Sequence, residues 1–325
     1  MLLPVLAVLT GFLLLVWSAD RFVEGASFTA KYLGMSTLLI GMLIVGFGTS
    51  APEMVVSAIA AMEGNPALAL GNAYGSNIAN IALILGITAI VTPITVHSKI
   101  IRKELPVLFL LIVLSGYLLA DGSLDFVDGG ILIAVFFALS GLSVYAGLKS
   151  RRDELKYEMD EKFEEQSMPI KDASFWLVAG LTLLIVSSKI LVWGAVHIAH
   201  ELGVSDLIIG LTIVALGTSL PELATSVSAA RKGEHDLAVG NIVGSCMFNI
   251  LAVVGIAALI APMNNVVSEV FYRDLPVMFA LTLALLLMAN GFDGKTPTIT
   301  RVNGMILFLS YIAYNVYLGV FVSGG

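Results

Sequence analysis

Charge and cysteine are scarce in this sequence. Of 325 residues, only 13% are Asp, Glu, Lys or Arg, about half the share found in a soluble globular chain. There is one cysteine, Cys246, which excludes an intrachain disulfide framework and any cysteine-rich metal centre. Four histidines leave little room for histidine chemistry. The few basic residues are spread among short polar segments and the net charge is −7, so nothing marks a nucleic-acid surface. What is abundant is apolar: 58% of the residues are hydrophobic and the mean hydropathy is +0.95. A soluble chain of this size could not hide so much apolar surface from water. The composition therefore describes an integral membrane protein whose partner is lipid. A span with its loop takes about 30 residues, so ten spans would use the whole chain.

Apolar runs of the necessary ~20 residues place segments at 2–33, 37–62, 66–91, 104–120, 127–149, 173–202, 206–232, 236–261, 273–290 and 299–322. The first is read as a helix and not as a signal peptide, because no Lys or Arg precedes Arg21. The one long polar stretch, 150–172, reads as a charged linker. Basic residues concentrate on one side of the membrane, which by convention is the inside. With the N-terminus outside, the inner loops hold Lys31, Lys99, Arg102, Lys103, Lys149, Arg151, Arg152, Lys156, Lys162, Lys171, Arg231, Lys232, Lys295 and Arg301. The outer loops hold only Arg273. Both termini are thus expected outside or periplasmic, and the 150–172 linker in the cytoplasm of an inner (plasma) membrane.

The chain also repeats itself. Residues 41–91 and 210–260 align without a gap at an offset of 169. Gly48-Thr49-Ser50 matches Gly217-Thr218-Ser219, and Pro52-Glu53 matches Pro221-Glu222. Gly71-Asn72 matches Gly240-Asn241, Gly75-Ser76 matches Gly244-Ser245, and Asn80 matches Asn249. The register reaches back to Gly25 and Gly194. Five spans in each half is an odd number, so the halves would enter the membrane in opposite directions. The expected fold class is an all-α integral membrane protein of ten transmembrane helices, arranged as two five-helix inverted-topology repeats. These are 1–149 and 173–325, joined by the 150–172 linker. Many secondary transporters share this plan, with the site near the midplane. Duplication for structure alone would explain matching hydropathy, but not matching Glu, Thr, Ser and Asn within apolar helices.

Glu53 and Glu222 fall near the middle of the second span of each half. An ionised carboxylate at that depth costs several kcal/mol or more, and no Lys or Arg stands at matching depth in either motif. A bound cation or a proton is the natural counter-charge. Pro52 and Pro221 each withhold a backbone donor and crowd the carbonyl four residues back, at Gly48 and Gly217. The helices should break there and leave carbonyls around Gly46–Gly48 and Ala215–Gly217 for coordination, as irregular backbone at this depth lines a cavity or is buried in protein. Thr49, Ser50, Ser76, Thr218, Ser219 and Ser245 add hydroxyls, and Asn80 and Asn249 add amide oxygens. All are hard oxygen ligands suited to Ca²⁺ or Na⁺. Asn72 and Asn241 either cap the broken helices or join the ligands. Gly71, Gly75, Gly240 and Gly244 form small-xxx-small patterns for close helix packing.

The paired motifs GTSAPE/GTSLPE and GNAYGSN/GNIVGSC resemble those of the sodium/calcium exchanger branch of the calcium/cation antiporters, and the resemblance to small bacterial inner-membrane members runs from end to end. It implies antiport of Ca²⁺ against Na⁺ by alternating access, with Glu53 and Glu222 binding the two ions in turn. It also implies that Thr49, Ser50, Ser76, Asn80, Thr218, Ser219, Ser245 and Asn249 are ligands, and that the first and sixth helices slide to switch access. The chain departs from the family where some members carry an aspartate: Asn80 and Asn249 are both amides here, leaving two carboxylates. Two negative charges neutralise one Ca²⁺ or two Na⁺. Cys246, opposite Asn77 in the repeat, reads as a packing residue. No cofactor is implied beyond the transported ions, Ca²⁺ and Na⁺ or H⁺. Ca²⁺/H⁺ exchange on the same glutamates is the closest alternative, and a cation channel the alternative of another class. An organic-anion carrier conflicts with the duplicated Glu. An intramembrane hydrolase lacks a Ser–His, Ser–Lys or paired-Asp arrangement. Asp20, Arg21 and Lys189 read as snorkelling side chains. The acidic run 153–165 lacks the ligand alternation and turn glycine of a calcium loop.

Overall fold

The computed structural model describes residues 2–95, 101–154, 168–202, 215–266, 268–289 and 297–321. Lys99, Lys295, most of the charged linker with its acidic run, and the start of the 206–232 segment lie outside these residues. The described chain is helical apart from one antiparallel pair of two-residue strands, β1 (Ile94–Thr95) and β2 (Thr298–Ile299), and a single bridge between Leu124 and Met263. The helices are α1 (Leu2–Leu33), α2 (Thr37–Thr49), α3 (Ala51–Met62), α4 (Pro66–Val91), α5 (Ile101–Leu118), α6 (Phe126–Glu154), α7 (Ile170–Glu201), α8 (Ala215–Thr218), α9 (Leu220–Arg231), α10 (His235–Ile260), α11 (Val270–Ala289) and α12 (Arg301–Phe321). Six of these, α1, α4, α6, α7, α10 and α11, carry a stretch long and apolar enough to cross a membrane, and α2 with α3 makes a seventh if the bent pair is one span. Large apolar side chains such as Leu13, Phe137 and Val178 stand exposed along the helices. Soluble monomers rarely expose apolar surface on this scale, and lipid is the solvent that accommodates it.

Local chemistry sets where the helices start and stop. Ser36 accepts from Leu39 N–H at 3.3 Å at the head of α2, and Asn65 accepts from Leu68 N–H at 3.3 Å at the head of α4, with Pro66 in the first turn. Each side chain satisfies an amide that the first turn leaves without a helical partner. Gly64 and Gly233, repeat partners at the 169 offset, close α3 and α9 at φ of +79° and +81°, a left-handed conformation that costs glycine nothing.

The chain forms two compact units, Met1–Pro52 with Ala134–Asn241, and Glu53–Ile133 with Ile242–Gly325. Neither coincides with one repeat; each draws on both. In the first unit α1 packs along α7, and glycines set the distance. A Cβ on Gly11 would lie 2.8 Å from Leu191 N, on Gly25 2.5 Å from Leu177 N, on Gly180 2.8 Å from Phe22, and on Gly194 2.6 Å from Pro4 O. As one helix ascends its contacts on the other descend, so α1 and α7 run antiparallel. Gly11 and Gly180, like Gly25 and Gly194, are repeat partners. Backbone-to-backbone approach through small residues is how helices associate where lipid removes the hydrophobic drive. Phe22, Val23, Ala26 and Ala30 of α1 complete a core with Ala229, Ala230, Leu237 and Ala238. Trp17 meets Trp176 edge-on at 5.7 Å, and the Arg21 guanidinium lies 5.3 Å from the Trp176 ring while pairing with Glu24 at 3.0 Å. Asp20 accepts from the Ser228 hydroxyl, and Lys232 donates to the Asp20 carbonyl. Asp20 is thus tied to α9 and its C-terminal flank, beyond the simple interfacial placement expected for it.

In the second unit α4 crosses α12 at another glycine contact: a Cβ on Gly304 would lie 2.7 Å from Gly86 O, and one on Gly86 3.0 Å from Gly304 O. The β1–β2 pair, Ile94 opposite Ile299, ties the chain beyond α4 to the start of α12. Phe109 of α5 stacks on Phe279 of α11 at 4.4 Å. The expected small-residue packing of the GN motif appears at Gly240 in the first unit, where a Cβ would lie 2.6 Å from Leu38 O; Gly71 and Gly75 meet no described atom within 4 Å.

Gly25→Val should therefore push α1 from α7 and cost about 1–3 kcal/mol, the usual range for overpacking. Gly141→Ala, where an added Cβ meets nothing within 4 Å, should leave stability unchanged or slightly raised. Thermal unfolding of purified protein in detergent checks both.

Candidate functional site

Two helix breaks carry the GTS-x-PE motifs. Between α2 and α3 the chain bends by 44° at Ser50, whose backbone sits at φ −82°, ψ 0°. Ser219 occupies the same place between α8 and α9 at φ −91°, ψ 5°. The prolines account for both. Pro52 and Pro221 cannot donate to the carbonyls of Gly48 and Gly217, so the helix cannot run through. A π-helical stretch, Gly41–Val45, loosens the turn before the first break.

The expectation that the breaks leave carbonyls open needs correction at Gly217 and at Gly46. Gly217 O accepts from the Ser188 hydroxyl of α7 at 2.8 Å. A carbonyl that has lost its amide partner in apolar surroundings is costly unless something else donates to it, and Ser188 does. Ser188 aligns with Ala19 in the first repeat, so the duplication gives no hint of this contact. Gly46 O accepts from Ser50 N–H at 3.0 Å, with the Thr49 hydroxyl 3.4 Å away as a second donor. Ser219 N–H bonds Leu216 O at 3.2 Å, three residues back.

In the first unit four motif residues meet. Glu222 is buried, with 1% of its surface exposed. Ser50 Oγ donates to its Oε1 at 3.2 Å, while Oε2 is buried with no hydrogen-bond partner. Thr49 Oγ1 donates to Asn241 Oδ1 at 3.1 Å. Asn241 Nδ2 in turn donates to Ser226 Oγ at 2.9 Å and to the backbone carbonyl of Glu222 at 3.3 Å. The GTS hydroxyls of the first repeat and the glutamate of the second thus belong to one cluster. Thr218 is half-buried and Ser219 buried.

In the second unit Glu53 is equally buried. Asn72 Nδ2 donates to Ser57 Oγ at 3.0 Å and to Glu53 O at 3.4 Å. Asn72, Ser57 and Glu53 are the 169-offset partners of Asn241, Ser226 and Glu222, so the same cross-link occurs twice. Each of Asn72 and Asn241 braces the glutamate's helix through its amide nitrogen. Ser57 and Ser226 escaped the sequence reading although they match in the repeat. That match is the signal that would have found them.

Ser76, Asn80, Ser245 and Asn249 are all buried in this unit. Asn80 and Asn249 lie on π-helical turns, Ala79–Ile84 and Asn249–Val253, a distortion often found where a helix carries function. The Oδ1 atoms of both are buried and without a hydrogen-bond partner. Asn249 Nδ2 donates to Asn77 Oδ1 at 3.2 Å, and Asn77 Nδ2 to the Met278 sulfur at 3.4 Å. Cys246 is buried. Among the described residues no group of three or more His, Cys, Asp or Glu could hold a metal. Any cation here would be held by single carboxylates and neutral oxygens, a set with hard-ion character.

Asn241→Ala should leave the Glu222 carbonyl and the Thr49 and Ser226 hydroxyls short of partners. Its expected cost is about 1–3 kcal/mol, the penalty for stranding buried polar groups, with a smaller loss for Asn72→Ala, which is only half-buried. Thermal midpoints in detergent would show the order.

Comparison with known proteins bears on the same motifs. Residues 3–145 and 173–320 match the family model described as sodium/calcium exchanger protein. A protein of Alkalimonas amylolytica named as a candidate antiporter, CaxA, is 48% identical over 318 residues, 98% of this chain and 99% of its own length. The Escherichia coli inner membrane protein YrbG is 38% identical, over 96% of this chain and 97% of its own. The solved structure of the sodium-calcium exchanger NCX_Mj soaked with Na⁺ and Ca²⁺ superposes with a TM-score of 0.82 at 30% identity, covering 99% of both chains.

Proposed function

The chain belongs to the sodium/calcium exchanger family, and from that premise we propose that it exports Ca²⁺ in exchange for Na⁺, with Glu53 and Glu222 as the carboxylates that hold each ion in turn. Membership makes it a membrane antiporter of cations, and the relatives whose names state an activity are exchangers and antiporters. The choice of Na⁺ over H⁺ and the site itself are our reading. The observation that carries it is Glu222: a fully buried carboxylate, hydrogen-bonded through one oxygen only, with the other buried and unpartnered. Asn80 and Asn249 repeat the pattern with amide oxygens. Buried oxygens without donors cost free energy, and a cation relieves that cost.

We assign Thr49, Ser50, Thr218 and Ser219 as hydroxyl ligands beside the glutamates, with carbonyls at Gly46 and Ala215. Ser76, Ser245, Asn80 and Asn249 complete the set. Two carboxylates match the charge of one Ca²⁺ or of two Na⁺, so the loads exclude each other, and a third Na⁺ would bind to neutral oxygens alone. An unloaded carrier would have to move with two bare charges in a low-dielectric setting. That penalty opposes empty transit and couples the two fluxes.

Ten spans in two inverted repeats, with both termini outside and the charged linker in the cytoplasm, is the topology we infer. The antiparallel run of α1 along α7, on repeat-matched glycines, supports inversion. The fourteen-to-one distribution of Lys and Arg supports the orientation. Glycine-smoothed contacts also suit α1 and α7 to the sliding that alternating access requires.

Purified protein in liposomes loaded with Na⁺ should take up ⁴⁵Ca²⁺ at equal pH on both sides, and liposomes loaded with choline should not. Uptake driven only by a pH gradient would replace Na⁺ with H⁺ as the counter-ion. Flux in choline with no gradient of either ion would indicate a channel. Glu222→Gln should reduce uptake to background while the protein stays folded. Ser50→Ala should raise the Ca²⁺ KM roughly tenfold, in line with the ~1.5–3 kcal/mol of a hydrogen bond to a charged group.

A further inference from the structure

We propose that Asn77 is a positioning residue that holds Asn249 oxygen-outward, so that its amide offers an acceptor and not a donor to the transported cation. The inference rests on the reading of Asn249 as an ion ligand and adds what makes an amide usable in that role.

A carboxylate presents oxygen whichever way it turns. An amide does not: flipped by 180°, it would present two N–H donors to a cation and repel it. Something must therefore fix the sense of Asn249. Its Nδ2 donates to Asn77 Oδ1 at 3.2 Å, and its own Oδ1 is left buried and unpartnered. Asn77 is itself an amide that could turn, but its Nδ2 lies 3.4 Å from the Met278 sulfur. A thioether accepts and never donates. The chain of bonds thus has one direction: the sulfur can only receive the Asn77 NH₂, which leaves the Asn77 oxygen to receive the Asn249 NH₂, which leaves the Asn249 oxygen free. The side chains of Asn77, Asn249 and Met278 are all buried, at 1%, 1% and 0% exposure, so water does not scramble the order. The other repeat carries a different residue at this position. Asn77 aligns with Cys246, whose thiol is a weak donor and a weak acceptor and cannot set the sense of an amide in this way.

The test is a double-mutant cycle on the Ca²⁺ KM of Na⁺-driven uptake, with Vmax and the thermal midpoint followed alongside. Asn77→Leu keeps the volume and removes the acceptor. It is expected to raise the KM about tenfold with Vmax largely kept, and Met278→Leu should do so more weakly. In the Asn249→Asp background the orientation no longer matters, so Asn77→Leu should change the KM by less than about twofold; contacting residues that act through one another show this kind of coupling. An equal effect in both backgrounds, or none in either, would overturn the proposal and leave Asn77 a packing residue. Should Asn249→Asp not transport, Asn77→Asp serves instead. It retains an acceptor oxygen and should keep the KM closer to wild type than Asn77→Leu does; indistinguishable behaviour of the two would overturn the proposal. Asn249→Ala separates the two levels. An unchanged KM there removes Asn249 from the ligands, whereas a raised KM with no Asn77 coupling defeats only the orientation claim.

Discussion

A carboxylate buried in a protein that is itself surrounded by hydrocarbon has few ways to remain. It can be protonated, paired with a buried base, or loaded with a cation. Glu222 has no Lys or Arg within its motif, takes one hydrogen bond on Oε1 from Ser50, and keeps Oε2 buried and bare. Glu53 shares its burial and its motif. The surrounding hydrogen bonds hold both glutamates' helices in place without giving the carboxylates a basic partner.

That requirement explains the scaffold around the glutamates. Proline breaks the helix just before each one, freeing the backbone to turn, and hydroxyls at the break take up part of the lost bonding. Where a carbonyl would be stranded, Ser188 supplies a proton to Gly217. An asparagine from the next helix then braces each glutamate's helix at two points, its own carbonyl and a serine one turn on. Neutral hydrogen bonds supply the rigidity. A salt bridge would have supplied it too, but at the cost of the negative charge that the proposed function needs.

Much of this was legible in the sequence because an offset of 169 residues compares every position with an internal control. Pairs such as Glu53 and Glu222, or Asn80 and Asn249, stand out since polar residues match inside helices that need only be apolar. The helix breaks were legible for a simpler reason, as proline leaves the same mark in any helix. The π-helical turns at Asn80 and Asn249 were not, because a one-residue dilation depends on packing and leaves no compositional trace. Ser188 was hidden because its repeat partner is Ala19. The Asn77–Met278 contact joins α4 to α11, 201 residues apart, and no local pattern encodes such a meeting. Ser57 and Ser226 were visible in principle, yet a serine in a membrane helix is common enough to pass unremarked.

In the function we propose, the oxygens around Glu53 and Glu222 are loaded by Ca²⁺ or by Na⁺ but not by both. Equilibrium titration of purified protein with Ca²⁺ in detergent, repeated at increasing Na⁺ with K⁺ or choline holding the ionic strength, tests it most directly. Competition predicts that the apparent Ca²⁺ dissociation constant rises with Na⁺ more steeply than first order, at unchanged stoichiometry, and that Glu222→Gln abolishes the binding. Ca²⁺ binding indifferent to Na⁺, or retained without the Glu222 charge, would rule out shared, competing loading of these oxygens.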